Sequence, residues 1–133
     1  MKRVALPELA PAAIHQPAGQ HLLADLSGIA PQRLRDCATL ESLLRQAAQA
    51  AGAHVLFSHF HGFGTGLGVT GVVLLAESHI TIHTWPEDGY AAADIFMCGS
   101  AQPELALAVI EQALAPASRQ ISIIERRAQP SGK

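Results

Sequence analysis

Residues 77–99 hold the densest group of acid, base and nucleophile side chains in this sequence. They read ESHITIHTWPEDGYAAADIFMCG and contain a serine, two histidines, carboxylates, a cysteine and the only tryptophan. An imidazole exchanges a proton near neutral pH, a serine hydroxyl can attack a carbonyl, and a thiol can return a proton. Because charged residues are only 15% of the chain, this concentration points to a site for chemistry.

The same segment resembles the self-cleavage region of the bacterial and archaeal S-adenosylmethionine decarboxylase proenzymes. In that family a motif much like ESHITIHTWPE is followed by D-x-F-x-C-G, and both patterns occur here. The resemblance extends upstream through GVTGVVLLA and HLLADL, so it covers residues 20–126. A match of this length is far more specific than one of three or four fixed residues.

The resemblance implies an enzyme that cuts its own chain between Glu77 and Ser78. The Ser78 hydroxyl would attack the Glu77 carbonyl carbon and convert the amide into an ester. Loss of the Ser78 α-proton would then eliminate the Glu77 carboxylate and leave dehydroalanine, which hydrolyses to a pyruvoyl group and ammonia. The products would be a β chain of residues 1–77 and an α chain of residues 78–133.

The implied cofactor is this covalent pyruvoyl group, derived from Ser78. Decarboxylation leaves an electron pair that none of the twenty side chains can accept, whereas a ketone beside a carbonyl delocalises it through a Schiff base with the substrate amine. The implied reaction releases carbon dioxide from S-adenosylmethionine and supplies spermidine synthesis. The alternative substrate is arginine or ornithine, because some relatives with this fold decarboxylate those amino acids.

The resemblance also assigns roles to individual residues. Ser78 becomes the pyruvoyl group, His83 takes the Ser78 α-proton during processing, and Cys98 returns a proton to the decarboxylated carbon. Glu87 would bind the ribose hydroxyls of the substrate, and Phe63 would stack on its adenine. These five positions are the predicted catalytic and substrate-binding residues.

Two positions depart from the usual pattern of the family. Thr70 stands where relatives commonly have a serine that supports processing, and it keeps the hydroxyl but adds a stiff branch. The loop GFGTGLG differs from the usual Phe-Leu-Pro-Tyr-Gly type and is one residue longer. Since that loop helps to shape the nucleoside pocket of the family, it bears on the choice of substrate.

The histidines suggest a remote alternative, a small metal-binding domain. Five of them fall within thirty residues, and imidazoles are common metal ligands: His54, His59, His61, His79 and His83. The sequence has no HExxH or CxxC spacing, however, and we predict no metal site.

Hydrophobic patterning predicts the elements that must position these residues, in the order β-α-β-β-β-β-α-β. Two helices cannot cover both faces of a six-stranded sheet. The predicted fold is therefore α+β, a two-layer sandwich of a mainly antiparallel sheet with both helices on one face. The predicted strands are 21–26, 54–60, 69–76, 78–85, 91–97 and 120–125, and the predicted helices are 40–51 and 103–114.

Details within these elements can also be predicted. Thr39 is expected to cap the first helix, and Leu105, Val109 and Ala113 are expected to form the buried stripe of the second. Alternation along the strand at 78–85 places Ser78 and His83 on opposite faces. We therefore expect the cleavage site in a bend ahead of the regular strand. Cys37 and Trp85 are expected to serve in packing.

Length and composition bound the rest. The 133 residues suit one domain, predicted at 19–126 between a flexible arm at 1–18 and a polar tail at 127–133. A net charge of −2 and the lack of a long apolar run argue against nucleic acid or a membrane as partner. Two cysteines suit the cytoplasm. We expect a small-molecule substrate and a homo-oligomer with active sites between protomers, because one sheet face lacks a cover.

Overall fold

A computed structural model describes residues 17–130 and confirms the predicted order of elements. Nearly all of the predicted arm and the last three residues of the tail lie outside the described residues. Short 3-10 helices at Pro31–Leu34 and Pro86–Asp88 join main elements. These are β1 (Ala18–Ser27), α1 (Cys37–Ala50), β2 (Val55–Gly62), β3 (Val69–Leu75), β4 (Ser78–Trp85), β5 (Tyr90–Cys98), α2 (Pro103–Leu114) and β6 (Ser118–Arg127).

The six strands form one antiparallel sheet in the order β2-β3-β4-β5-β1-β6. The hairpin of β4 and β5 lies in the middle of the sheet, so the chemistry-bearing segment is held by neighbours on both sides. Its register pairs Ser78 with Met97, Thr81 with Asp94 and Trp85 with Tyr90. Hydrogen bonding on both edges fixes which residues of this hairpin face each layer.

Both helices pack on the same face of the sheet, as predicted. Helix α1 contacts β2 and β3, α2 contacts β5 and β1, and the two helices contact each other. The strands alternate between this helix-covered face and an open face, and the side chains between sheet and helices form the hydrophobic core. Its largest fully buried members include Leu22, Leu26, Leu40, Leu44, Ile80, Ile82, Ile95 and Ile110.

The start of α1 corrects one prediction. The helix begins at Cys37, and its N-cap is Asp36, not Thr39. The Asp36 carboxylate accepts a hydrogen bond from the Thr39 backbone N–H at 2.9 Å. A carboxylate at the N-cap accepts a hydrogen bond from a free backbone N–H, and its negative charge is stabilised by the positive end of the helix dipole. Asp36 is therefore the N-cap, and Thr39 lies within the first turn.

The buried stripe of α2 is displaced by one residue from its predicted position. Leu105 is 43% exposed, whereas Ala106, Ile110 and Leu114 are buried at the same four-residue spacing. The predicted four-residue spacing of the buried stripe is confirmed, but the predicted face of the helix is wrong. Ile110 and Leu114 bury more apolar area than Val109 and Ala113 would. Over residues 17–130, no helix is long and apolar enough to cross a membrane.

The open face of the sheet carries several large apolar side chains. Five of them are between 39% and 56% exposed, and they come from five different strands: Leu23, Phe57, Leu74, Trp85 and Ile124. Several large exposed apolar side chains on one sheet face suit contact with another macromolecule better than contact with water.

Candidate active site

The Glu77–Ser78 bond lies in the tight turn that joins β3 to β4. Leu75 and Ser78 pair across this turn, and Ser78 has a φ of 140°. A residue with a side chain rarely adopts such a backbone angle, and holding it costs on the order of 1–3 kcal/mol. The chain therefore departs from regular strand geometry at Ser78, where the sequence predicts a bend.

Cys98 contacts both sides of this bond. Its backbone N–H donates a hydrogen bond to the Glu77 carbonyl oxygen at 3.0 Å, and its Sγ lies 3.5 Å from the Ser78 Oγ. The end of β5 thus presents an N–H to the carbonyl and a thiol to the hydroxyl. We call Glu77, Ser78 and Cys98 the scissile group.

The side chain of Glu77 is buried, with only 5% of the residue exposed. Its two carboxylate oxygens accept hydrogen bonds from the His54 backbone N–H at 2.8 Å and from the His54 Nδ1 at 2.7 Å. Burial raises the pKa of Glu77, but the hydrogen bonds from His54 lower it by more, so the carboxyl titrates below its usual range. The carboxylate is therefore charged at neutral pH.

A second set of predicted residues surrounds a cleft at the other end of β4. Thr70 and His83 pair across β3 and β4, and the Thr70 Oγ1 lies 3.1 Å from the His83 Nδ1. Trp85 stacks on Tyr90 with ring centroids 5.2 Å apart, so it packs as predicted but also lines the cleft. The cleft holds about 340 Å³ and is lined by Phe63, Leu67, Gly68, Thr70, His83, Thr84, Trp85 and Glu87.

The predicted site residues form two separate groups in the structure: the scissile group at one end of β4, and the remaining four at the other. Phe63, Thr70, His83 and Glu87, which we call the cleft group, line one cavity. His83 lies five residues along β4 from Ser78, a distance of about 16 Å at the rise of a strand. Within one chain, His83 does not reach the scissile group.

A cluster on the open face was not predicted from the sequence. The His21 Nε2 and the His79 Nε2 each lie 3.0 Å from the Asp94 Oδ1, and Thr81 donates a hydrogen bond to the other oxygen. Burial raises the pKa of Asp94, but the bonds from Thr81, His21 and His79 lower it by more, so it lies below its usual range. The cluster joins side chains from β1, β4 and β5, and the spacing of residues along the sequence does not reveal which strands pair.

Among residues 17–130, three members of this cluster, His21, His79 and Asp94, also place their side-chain atoms close enough together to bind a metal ion. The Arg126 Nη1 donates to the His21 Nδ1 at 3.3 Å, so the His21 proton resides on Nε2 and points to Asp94. A metal ligand at Nε2 needs the opposite tautomer. Of the five histidines that suggest a metal domain, only His79 takes part, and the arrangement is satisfied by hydrogen bonds alone.

Fold and site together define an α+β domain with a Glu-Ser bond in a strained turn between two neighbouring strands of its sheet. The family model described as S-adenosylmethionine decarboxylase matches residues 20–127. That span contains both groups of predicted site residues and all of the sandwich except the first two residues of β1. This chain therefore belongs to the S-adenosylmethionine decarboxylase family.

Individual relatives agree with this assignment. An S-adenosylmethionine decarboxylase proenzyme of Parasynechococcus marenigrum is 50% identical over 97 residues, 72% of this chain and 75% of its own. One of Methanococcus aeolicus is 46% identical over 109 residues, 81% of this chain and 92% of its own. The crystal structure of the adenosylmethionine decarboxylase from Aquifex aeolicus superposes with a TM-score of 0.79 at 36% identity, covering 89% of this chain and 98% of that one.

Proposed function

We propose that this chain cleaves itself at Glu77–Ser78 and then decarboxylates S-adenosylmethionine through the pyruvoyl group that cleavage creates. The relatives named above support both parts, since their name describes a proenzyme and a decarboxylase of this substrate. The observation that carries the proposal is the scissile group. A strained serine lies beside a thiol, and the carbonyl ahead of it accepts an N–H.

The contacts of the scissile group suit the first step of cleavage. When the Ser78 oxygen attacks the Glu77 carbon, negative charge develops on the Glu77 carbonyl oxygen. The Cys98 N–H already donates to that oxygen, so it is oriented to stabilise the charge before the reaction begins. Breaking the bond also releases the unfavourable φ at Ser78. The overall change consumes water and releases ammonia.

The surroundings of residue 78 fit a pyruvoyl group. The group is no larger than the serine it replaces, and Cys98 lies beside the Ser78 side chain. When present, it supplies the electron sink for the pair left as carbon dioxide departs. The Cys98 thiol is close enough to donate a proton to the substrate carbon, and the predicted role of Cys98 stands on that proximity.

The cleft group suits a nucleoside with a positive charge. Phe63 is 58% exposed, and although its ring packs edge-to-face with that of His61 at 4.9 Å, it has exposed surface on which a base can stack. The exposed Glu87 carboxylate offers two oxygens to a pair of ribose hydroxyls. The faces of Trp85 and Phe63 attract a cation, and a sulfonium centre is one. His83 beside Thr70 is the proposed base for processing, with Thr70 as its support.

The two groups meet if two copies of the chain pair through their open faces. A two-fold axis that lies between the two open faces, perpendicular to β4 and level with the Thr81–Asp94 pair, reverses the direction of β4 in the second copy. Such an axis lies midway between Ser78 and His83. It sets the scissile group of one copy against the cleft group of its partner, and it covers the exposed apolar face. We propose this homodimer, with two active sites between protomers.

Substrate choice is tested by measuring carbon dioxide release from S-adenosylmethionine, arginine and ornithine offered separately to the processed protein. We expect release from S-adenosylmethionine alone, with Ser78→Ala inactive on all three. Release from arginine or ornithine instead would assign the GFGTGLG loop to the recognition of a free amino acid and contradict the proposed substrate.

The proposed setting is the cytoplasm, in a route to spermidine. Among residues 17–130 both cysteines, Cys37 and Cys98, are free thiols. A thiol that must donate protons in every turnover works best where it stays reduced.

A further inference from the structure

His54 holds the chain just ahead of the scissile bond at three points. Its carbonyl oxygen accepts the Ala76 N–H at 2.9 Å, its N–H donates to the Glu77 Oε1 at 2.8 Å, and its Nδ1 donates to the Oε2 at 2.7 Å. His54 itself is largely exposed, whereas the Glu77 carboxylate is buried. The exposed His54 thus binds the buried Glu77 carboxylate through hydrogen bonds from both its backbone N–H and its ring.

The same glutamate supplies the carbonyl that is attacked. Its side chain is fixed by His54 and its carbonyl oxygen by the Cys98 N–H, so the residue is held from two directions. Self-cleavage requires the Glu77 carbon to stay in line with the Ser78 oxygen on a strained turn. Misplacement of reacting atoms by about 1 Å can cost roughly a hundredfold in rate.

We propose that His54 is a positioning residue for self-cleavage, clamping the Glu77 carboxylate so that the Glu77 carbonyl stays between the Cys98 N–H and the Ser78 hydroxyl. This inference rests on the proposed self-cleavage at Glu77–Ser78. His54 takes no proton from the reacting atoms and acts only through Glu77. Because the carboxylate is ionised, the two hydrogen bonds from His54 are charge-assisted and stronger than neutral ones.

The test follows the cleavage rate of freshly translated chain by mass, using substitutions at His54. His54→Ala keeps the backbone N–H but loses the ring donor, and we expect cleavage to slow about tenfold, as for one charge-assisted hydrogen bond. His54→Asn places an amide nitrogen where Nδ1 was, and it should restore most of the rate. Gln49→Ala, an exposed change on α1, is the control and should cleave at the normal rate.

A trapping experiment identifies the step that the clamp serves. In a His83→Ala background, elimination is slowed and the ester should accumulate. Hydroxylamine attacks that ester carbonyl and releases a β chain ending in a Glu77 hydroxamate and an α chain beginning with Ser78. Adding His54→Ala should reduce the trapped product about tenfold. A purely structural role would instead lower the melting temperature, measured in the uncleavable Ser78→Ala background, in step with the rate.

The outcomes separate the clamp from the proposed function. If the unaltered chain cleaves but His54→Ala cleaves as fast, or if His54→Asn fails to restore the rate, the clamp is wrong and self-cleavage stands. If the rates of the His54 variants simply follow their melting temperatures, the positioning role is likewise overturned. If the unaltered chain does not cleave at Glu77–Ser78, the failure belongs to the proposed function.

Discussion

Cys98 offers two different atoms to the scissile bond, and they can be separated by substitution. Cys98→Ala removes the thiol but leaves the backbone N–H on the Glu77 carbonyl. Self-cleavage should therefore persist, while turnover of S-adenosylmethionine should fall by about a hundredfold or more, the usual contribution of a proton donor. The two effects are measured by chain mass and by carbon dioxide release.

Cys37→Ala is the matched control, because Cys37 is half-buried against the core and lies outside both groups of site residues. It should leave cleavage and turnover unchanged. Normal turnover in Cys98→Ala would remove Cys98 from the proposed chemistry.

Asp94 predicts how stability depends on acid. Its pKa is lowered in the folded chain because the hydrogen bonds from Thr81, His21 and His79 outweigh burial. The carboxylate therefore stabilises the fold above the usual aspartate range, and this contribution is lost as the pH falls through the lowered value. Asp94→Asn should flatten the decrease in unfolding free energy below about pH 4, measured by urea titration in the uncleavable Ser78→Ala background.

The control for this experiment is the exposed Asp36, whose pKa is lowered by hydrogen bonds from Thr39 at the start of α1. Asp36→Asn should leave most of the acid dependence in place because that carboxyl is exposed. An unaltered acid profile in Asp94→Asn would show that ionisation of Asp94 contributes nothing to the pH dependence of folding.

Site residues could be predicted from sequence where a linear motif carries them. Ser78, His83 and Cys98 belong to one continuous segment, so a family resemblance finds them. The contacts of His54 with Glu77, and of His21 with Asp94, join residues that lie 23 and 73 positions apart in the chain. Such pairing depends on register, which a single sequence does not reveal.

At the scale of elements, Thr84 ties the cleft to the core. Its buried hydroxyl accepts the Val69 N–H at 2.9 Å and donates to the Leu34 carbonyl at 2.7 Å. Thr84→Val keeps the shape but leaves both backbone groups without this partner. Each unsatisfied buried group costs about 1–3 kcal/mol, so for two groups we expect a loss of roughly 2–6 kcal/mol in unfolding free energy.

Denaturant unfolding in the Ser78→Ala background measures this loss on one uncleaved chain. Thr84→Ser retains the hydroxyl and should lose much less, about the value of one buried methyl group. Equal stability of Thr84→Val and the parent would mean that the hydroxyl has no structural role.

Element order could be predicted because each strand and helix has its own period. The strand at Ser78–Trp85 and the helix at Pro103–Leu114 have the predicted bounds. The cap of α1 and the phase of α2 were wrong because each depends on competition between neighbouring residues. Alternation predicts that Ser78 and His83 face opposite sides of the strand, but it does not predict that His83 is out of reach of the scissile group within one chain.

At the scale of the whole molecule, the paired homodimer predicts complementation between two inactive chains. Ser78→Ala retains the cleft group, and His83→Ala retains the scissile group. In a mixed dimer, one site combines an intact Ser78 with the intact His83 of its partner. Co-expression of differently tagged chains should therefore restore cleavage, and only the His83→Ala chain should be cut.

Co-expression of Ser78→Ala with Ser78→Ala;His83→Ala is the negative control, since no intact Ser78 remains. If the first mixture stays uncut while each variant folds and forms dimers, both groups of residues act within one chain and the two-fold arrangement is wrong. A cleavage fragment derived from the Ser78→Ala chain would contradict cleavage at this serine.

The most direct measurement is the intact mass of the purified protein. The account predicts two chains, one of residues 1–77 and one that begins at position 78 with a pyruvoyl group and has no free α-amine. Ser78→Ala should remain one chain of 133 residues. Folded protein that stays uncut on prolonged incubation, with Ser78 unmodified, would contradict the account.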